Sequence, residues 1–281
     1  MVLGEGVFTA AVAQMDPKLG DVSFNLDRIS ELAGRAHDHG ARLTVFPECA
    51  VTGYRFDSVE EAADAAQTVP GDLTVRMHTL AADLDMHIAV GYVEREADVI
   101  YNGSVLVGPG GVVAKYRKNH LPYEAVDRFA QPGNLGLEVH LTPIGRLAMV
   151  ICYDLRFPET TRVLALKGAE IVLDLTNLPP EGSMQPDFLY RARAAENRIW
   201  LLASNRVGTE RGVTFVGRSA IVDPDGKVVA SASAGDEELI FASIDPREAR
   251  LKHLVFRPRQ HELSLFDDRR PELYGRIIDD E

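Results

Sequence analysis

Only two of the 281 residues are cysteine, Cys49 and Cys152, and only one is tryptophan. Two thiols make no disulfide framework, so a reducing, intracellular setting is expected, and with it a cytoplasmic location. Lysine is also scarce, six against 24 arginines, so a lysine beside a conspicuous motif is less easily dismissed as surface. Basic residues total 30 against 42 acidic ones, a net charge of −12. That balance argues against a nucleic-acid surface, which needs clustered Lys and Arg. No window approaches about 18 uninterrupted apolar residues, so no membrane span is read. The first residues lack a basic region followed by an apolar stretch, so no signal peptide is expected. No Ser/Gly-rich linker interrupts the chain, and residues 1–281 are expected to form one domain.

What is present is an alternation of apolar runs and amphipathic stretches. Residues 7–14 read as a buried strand. Leu26, Ile29, Leu32, Ala33 and Ala36 recur at helical spacing, and Gly40 is a plausible stop. Strands are expected at 42–47, 87–94, 100–107 and 112–117, and a helix at 72–85. The second half repeats the theme, with strands at 145–151, 170–176 and 199–205 and helices at 158–167 and 187–197. Residues 214–222 and 227–232 flank Asp223-Pro224-Asp225-Gly226, a strong hairpin turn, and a last strand is expected at 238–244. Asn102-Gly103-Ser104 matches a glycosylation acceptor but reads as a turn. Strands interleaved with helices indicate a layered α/β fold. The tail, 246–281, is charged yet carries Leu251, Leu254, Val255, Phe256, Leu263, Leu265 and Phe266, which should pack on this subunit or on a neighbour.

Three segments share one grammar: an apolar strand ends and a reactive side chain follows. They end in Glu48, in Lys118 and in Cys152. In layered α/β folds, sites gather beyond the carboxyl ends of strands. A free thiol titrates near about 8.5, so it needs help at neutral pH. A neighbouring carboxylate such as Glu48 can take its proton. An ammonium such as Lys118 favours the thiolate and can steady an oxyanion, and the backbone N–H of Tyr153 can supply a second oxyanion donor. Each residue also has a plainer reading. A buried Cys is usually a packing residue, a Glu often caps a helix, and a Lys in a basic cluster is usually solvated. Cys49 has nothing nearby to activate it. His37 and His39 are too close for a shared helical face, so no metal site is read.

Phe46-Pro47-Glu48, Arg117-Lys118-Asn119-His120-Leu121-Pro122 and Cys152-Tyr153-Asp154-Leu155-Arg156-Phe157-Pro158-Glu159 resemble, in order, the three signature blocks of the nitrilase superfamily of carbon–nitrogen hydrolases. Gly20-Asp21 with Asn25, Arg191–Asn197 and Gly217-Arg218-Ser219 extend the likeness from about residue 8 to 245. The resemblance implies a four-layer αββα sandwich of two stacked mixed β-sheets. It implies a Glu48–Lys118–Cys152 triad, a thioester intermediate, and neither metal nor organic cofactor. It implies a homodimer or higher homo-oligomer, with the 246–281 tail at the subunit interface. Many members add a second glutamate that orients the lysine; Glu124 is the candidate and Asp127 the fallback. Residues 176–186 lie where the family shapes its pocket, so Asn177, together with Arg156, is a candidate for substrate contact. The cysteine block resembles that of amidases acting on small aliphatic or carboxylate-bearing amides. The alternatives are an N-carbamoyl amino acid or amine hydrolase, then a nitrilase, and, from another class, a catalytically silent binding protein on the same fold.

Overall fold

The computed structural model describes residues 6–279. Strand β1 (Phe8–Gln14) leads into helix α1 (Val22–Asp38) and then β2 (Ala41–Val45). Helix α1 forms where the periodicity predicts. The Asp21 carboxylate accepts the Phe24 N–H and caps the first turn, while Leu26, Ile29, Leu32, Ala33 and Ala36 form its buried face. Burying each Leu or Ile contributes about 2 kcal/mol. Helices α2 (Val59–Ala65) and α3 (Asp72–Asp83) follow, then the antiparallel run β3 (His87–Glu96), β4 (Val99–Gly108) and β5 (Gly111–Arg117). The next strands are β6 (His140–Thr142) and β7 (Gly145–Ile151), and after α4 (Pro158–Leu166) comes β8 (Ile171–Thr176). Helix α5 (Tyr190–Asn197) precedes β9 (Trp200–Asn205) and a two-residue ribbon, β10 (Thr209–Glu210) with β11 (Val213–Thr214). Strands β12 (Ala220–Val222), β13 (Val228–Ser231) and β14 (Glu238–Ile244) follow, and the tail forms a hairpin, β15 (His253–Arg257) with β16 (His261–Ser264).

Two six-stranded mixed sheets result, β14-β1-β2-β3-β4-β5 and β13-β12-β9-β8-β7-β6. In each, three central strands run parallel: β1, β2 and β3 in one, β7, β8 and β9 in the other. The sheets stack through one apolar layer that holds Val12, Val45 and Leu106 from the first and Leu147, Leu173 and Leu202 from the second. Helices α1 and α3 cover the outer face of the first sheet, where Leu26, Ile29 and Met77 meet Ala11, Phe46 and Val90. Helices α4 and α5 pack against the second sheet through Leu164, Ala165, Tyr190 and Ala194. This is the four-layer α/β sandwich expected.

Two local readings change. Asn102-Gly103-Ser104 is not a turn but the middle of β4, with Asn102 and Ser104 wholly buried. The expected strand 214–222 is two pieces, because Arg218 takes a left-handed backbone (φ 60°) that no strand continues through.

Candidate active site

Phe46 bonds back to β3 (Phe46 N–H to Ala89 carbonyl, 2.9 Å), and the Glu48 turn lies directly on Gly91. A Cβ at residue 91 would stand 2.5 Å from the Cys49 nitrogen and 2.7 Å from the Glu48 Cα, so only glycine admits the turn there. Lys118 follows β5 and is held by Asn102, whose carbonyl accepts the Lys118 N–H at 2.8 Å. Gly133 donates to the Lys118 carbonyl, and a Cβ at residue 133 would fall 2.2 Å from the Arg117 carbonyl oxygen.

These loops bring the charged groups together. Lys118 Nζ donates to Glu48 Oε1 at 2.7 Å and to Asp127 Oδ2 at 2.6 Å, all three side chains being fully buried. Asn102 Nδ2 bridges the same carboxylates, at 2.7 Å from Glu48 Oε1 and 2.8 Å from Asp127 Oδ1. The Tyr54 hydroxyl donates to Asp127 Oδ2. Glu48 Oε2 is buried and has no partner within the protein. Of the two acids considered as the lysine's second partner, Asp127 occupies that place. Glu124 instead accepts from Arg55 Nη1 at 2.9 Å, half-buried. The chain turns between them: Ala125 sits at φ 46° and opens a 3₁₀ turn, Ala125–Arg128, that carries Asp127 inward.

Cys152 directly follows β7 and starts a 3₁₀ turn, Cys152–Arg156, with a left-handed backbone (φ 50°). A non-glycine residue held there costs about 1–3 kcal/mol and persists only when its surroundings fix it. They do. Asp174 Oδ1 on β8 accepts the Cys152 N–H at 3.1 Å, and Asp154 Oδ2 accepts the Ile151 N–H at 3.1 Å. Asp154 also accepts the Tyr116 hydroxyl at 2.7 Å and the His120 N–H at 3.0 Å, tying the lysine segment to the cysteine segment. From α5, Arg193 clamps the carbonyls of Leu155 and Arg156. The Tyr153 N–H lies in the first turn, where backbone donors have no partner within the helix.

Cys152 opens into a cavity of about 150 Å³ lined also by Tyr54, Glu124, Tyr153, Arg156, Asn177 and Gln185. Glu48 and Lys118 are not in its lining, but both act on the thiol's titration, Glu48 raising it and Lys118 lowering it. A larger cavity of about 430 Å³ lies at the other end of the first sheet, at the starts of β2 and β3, where Arg42, Asp85 and His87 line it. It holds none of the reactive groups, so the smaller cavity is the candidate site. Arg156 stands at the mouth, its guanidinium bonded to the Glu181 carbonyl at 3.2 Å. Cys49 is buried beside Asn102, away from the cavity lining. Asn102, Asp174 and Gln185 were not singled out from the sequence. Asn102 alternates with Ser104 along a strand, which was its one available signal.

The electrostatics are asymmetric. Burial, reinforced by Glu48, pushes the Cys152 thiol up, so the resting group is the neutral SH. Burial also pushes the Glu48 carboxyl up, to about 7, against the pull of Lys118. Burial alone would favour a neutral amine at Lys118, but Asp127 and Glu48 outweigh it and hold the ammonium well above its ordinary value. Burial keeps Asp174 protonated to far higher pH than usual, although the Cys152 N–H works against it. A neutral thiol beside a carboxylate titrating near 7 and a permanent ammonium can pass a proton at the moment of attack. Among the described residues no group of three or more His, Cys, Asp or Glu side chains could hold a metal ion.

Comparison with known proteins agrees with this layout. Residues 9–253 match the family model described as Carbon-nitrogen hydrolase. A nitrilase of Pyrococcus abyssi is 38% identical over 95% of this chain and 98% of its own. An N-carbamoylputrescine amidase of Solanum lycopersicum is 33% identical, covering 92% of this chain and 91% of its own. The solved structure of an amidase from Nesterenkonia sp. superposes with a TM-score of 0.79 at 27% identity, covering 99% of this chain and 98% of that one. With the family model matching nearly the whole length, the chain belongs to the carbon–nitrogen hydrolases and is a hydrolytic enzyme of the nitrilase superfamily.

Proposed function

We propose that the enzyme is a cysteine amidase releasing ammonia from a small amide. Cys152 Sγ attacks the amide carbonyl while its proton passes to Glu48. Lys118 and the Tyr153 N–H hold the oxyanion that forms. The C–N bond then breaks, the proton moves from Glu48 to the departing nitrogen, and ammonia leaves a thioester. Glu48 next takes a proton from water, whose oxygen attacks the thioester, and the acid and the thiol are released. Asp127 keeps Lys118 charged and in place. The observation that carries this reading is the fully enclosed Lys118, bridged between two carboxylates at 2.7 and 2.6 Å beside Cys152. Such a charge triple is costly to bury and contributes little to stability by itself, which favours a chemical role.

An N-carbamoyl compound is the second reading, because the tomato relative is named as an N-carbamoylputrescine amidase and the same three groups serve both reactions. A screen of ammonia release over amides, carbamoyl compounds and nitriles, run beside Cys152→Ala, separates the readings. Turnover should vanish in the variant; retained turnover would remove Cys152 as nucleophile. A catalytically silent protein would release nothing and show no fast alkylation of Cys152 by iodoacetamide.

The tail leaves Leu251, Val255, Phe256, Leu273, Ile277 and Ile278 exposed, and we propose that a second copy covers part of this surface. Analytical ultracentrifugation should then show a dimer or larger assembly, and a monomer at micromolar concentration would refute it. No helix among the described residues is long and apolar enough to cross a membrane.

A further inference from the structure

The segment after β8 holds two side chains the mechanism does not use. Asn177 and Gln185 are each only 1% exposed and both line the cavity beside Cys152. Neither amide atom of Asn177 has a hydrogen-bond partner within the protein, nor does Gln185 Oε1. A buried polar group left unmet costs about 1–3 kcal/mol, and here three such atoms belong to side chains that line one small cavity.

Their backbone is fixed. Asn205 Oδ1 accepts the Leu178 N–H at 2.9 Å, and the Leu178 carbonyl accepts the Val216 N–H at 3.0 Å. Gln185 opens a π-helical turn, Gln185–Leu189, that runs straight into α5, and such turns concentrate at functional sites. The charged groups of this cavity stand apart: Glu124 is paired with Arg55, and Arg156 and Glu181 sit at the more open end. The enclosed end therefore offers two amide NH2 groups and two carbonyl oxygens, and no net charge.

We propose that Asn177 and Gln185 form a neutral polar subsite that selects small amides carrying a second uncharged donor–acceptor group, such as a second carboxamide. This rests on the amidase reading of Cys152. An alkyl substituent would leave the side-chain amides unmet. A carboxylate would set its own lone pairs against Asn177 Oδ1 and Gln185 Oε1 and would lose its water. A carboxamide supplies N–H groups to those oxygens and a carbonyl to Asn177 Nδ2. About 150 Å³ beside Cys152 leaves room for the acyl part of such a molecule, and a wider cleft of about 630 Å³ adjoins it at Glu124, Pro179 and Glu181.

The test uses three amides of equal heavy-atom count: malonamide, isovaleramide and malonamate. Malonamide and water yield malonamate and ammonia. The native enzyme should show kcat/KM for malonamide at least ~10²-fold above that for either analogue, since a site built for hydrogen bonds rejects molecules that cannot make them. In Asn177→Leu and in Gln185→Met the ratio of malonamide to isovaleramide should fall at least ~10-fold. Two variants are named so that the failure of one to fold leaves the other, and the native ratios need neither. Comparable rates on malonamide and isovaleramide in the native enzyme would overturn the subsite. So would an unchanged ratio in the folded variants, or hydrolysis of other amides with none of malonamide. Should no amide be hydrolysed and Cys152 also resist iodoacetamide, it is the underlying amidase reading that falls.

Discussion

The two sheets furnish the site in opposite ways. On the first, Glu48, Lys118, Asp127 and Asn102 are interlocked, and among their side-chain atoms only Glu48 Oε2 lacks a partner. On the second, the Cys152 backbone is pinned, but both Asn177 amide atoms and Gln185 Oε1 are unmet. The difference follows from energy scales. A buried charge without a partner costs several kcal/mol, so the ions must be matched before any substrate arrives. A neutral amide without a partner costs about 1–3 kcal/mol, which a fold can carry until a ligand meets it. Pre-paired charge on one side of Cys152 and unmet neutral groups on the other is the arrangement that the proposed neutral substrate calls for.

Removing the central ion is the hardest way to break that contrast. Lys118→Ala leaves Glu48 and Asp127 facing each other in a dry interior, so it should cost about 3–5 kcal/mol of stability, or roughly 6–20 °C in melting temperature. Ammonia release should fall at least ~10²-fold, the scale of losing one oxyanion donor. A native-like melting curve would contradict the enclosed geometry. Asp127→Asn keeps the shape and deletes one charge, and kcat should fall by about 10²-fold.

A milder probe is pH. In the proposed mechanism Glu48 must be ionised to accept the thiol proton, so kcat/KM should decline below an apparent pKa near 7, about tenfold per unit. The stability sign is opposite to that of an ordinary salt-bridged carboxylate. Between the ordinary 4.5 and about 7 the folded state binds the proton that the unfolded chain has released. Glu48 therefore contributes stability at low pH that is lost as pH rises through that window. Urea unfolding of the native enzyme and Glu48→Gln at pH 5 and pH 8 would expose the difference. Smallest of all, Glu124→Gln should change turnover less than about fivefold, because its pair with Arg55 is partly solvated. A drop matching Asp127→Asn would make Glu124 the second acid after all.

The sequence made the frame legible where apolar runs are long. Strands β7 and β14 have the expected bounds, and Glu48, Lys118 and Cys152 each follow a strand as anticipated. What stayed hidden depends on direction rather than spacing. Asn-Gly is a turn signal, so Asn102 looked superficial, yet β4 is covered on both faces and turns that polar pair inward. Glu124 and Asp127 are three positions apart, and only the left-handed Ala125 decides which of them meets the lysine. Strands β6, β15 and β16 are too short to show a period. Gln185 sits in a segment without strand or α-helix periodicity and opens a π-helical turn, which has no apolar spacing to announce it.

Glu48 and Lys118 follow strands of one sheet and Cys152 follows a strand of the other, so neither half of the polypeptide holds the whole candidate site. When the denatured enzyme is diluted into buffer, helix and strand signals should return first. Long-range docking of the two layers is the slow event, and ammonia release should reappear only with it. The rate at which a single sulfur atom regains its chemistry then becomes a stopwatch for the final step of assembly.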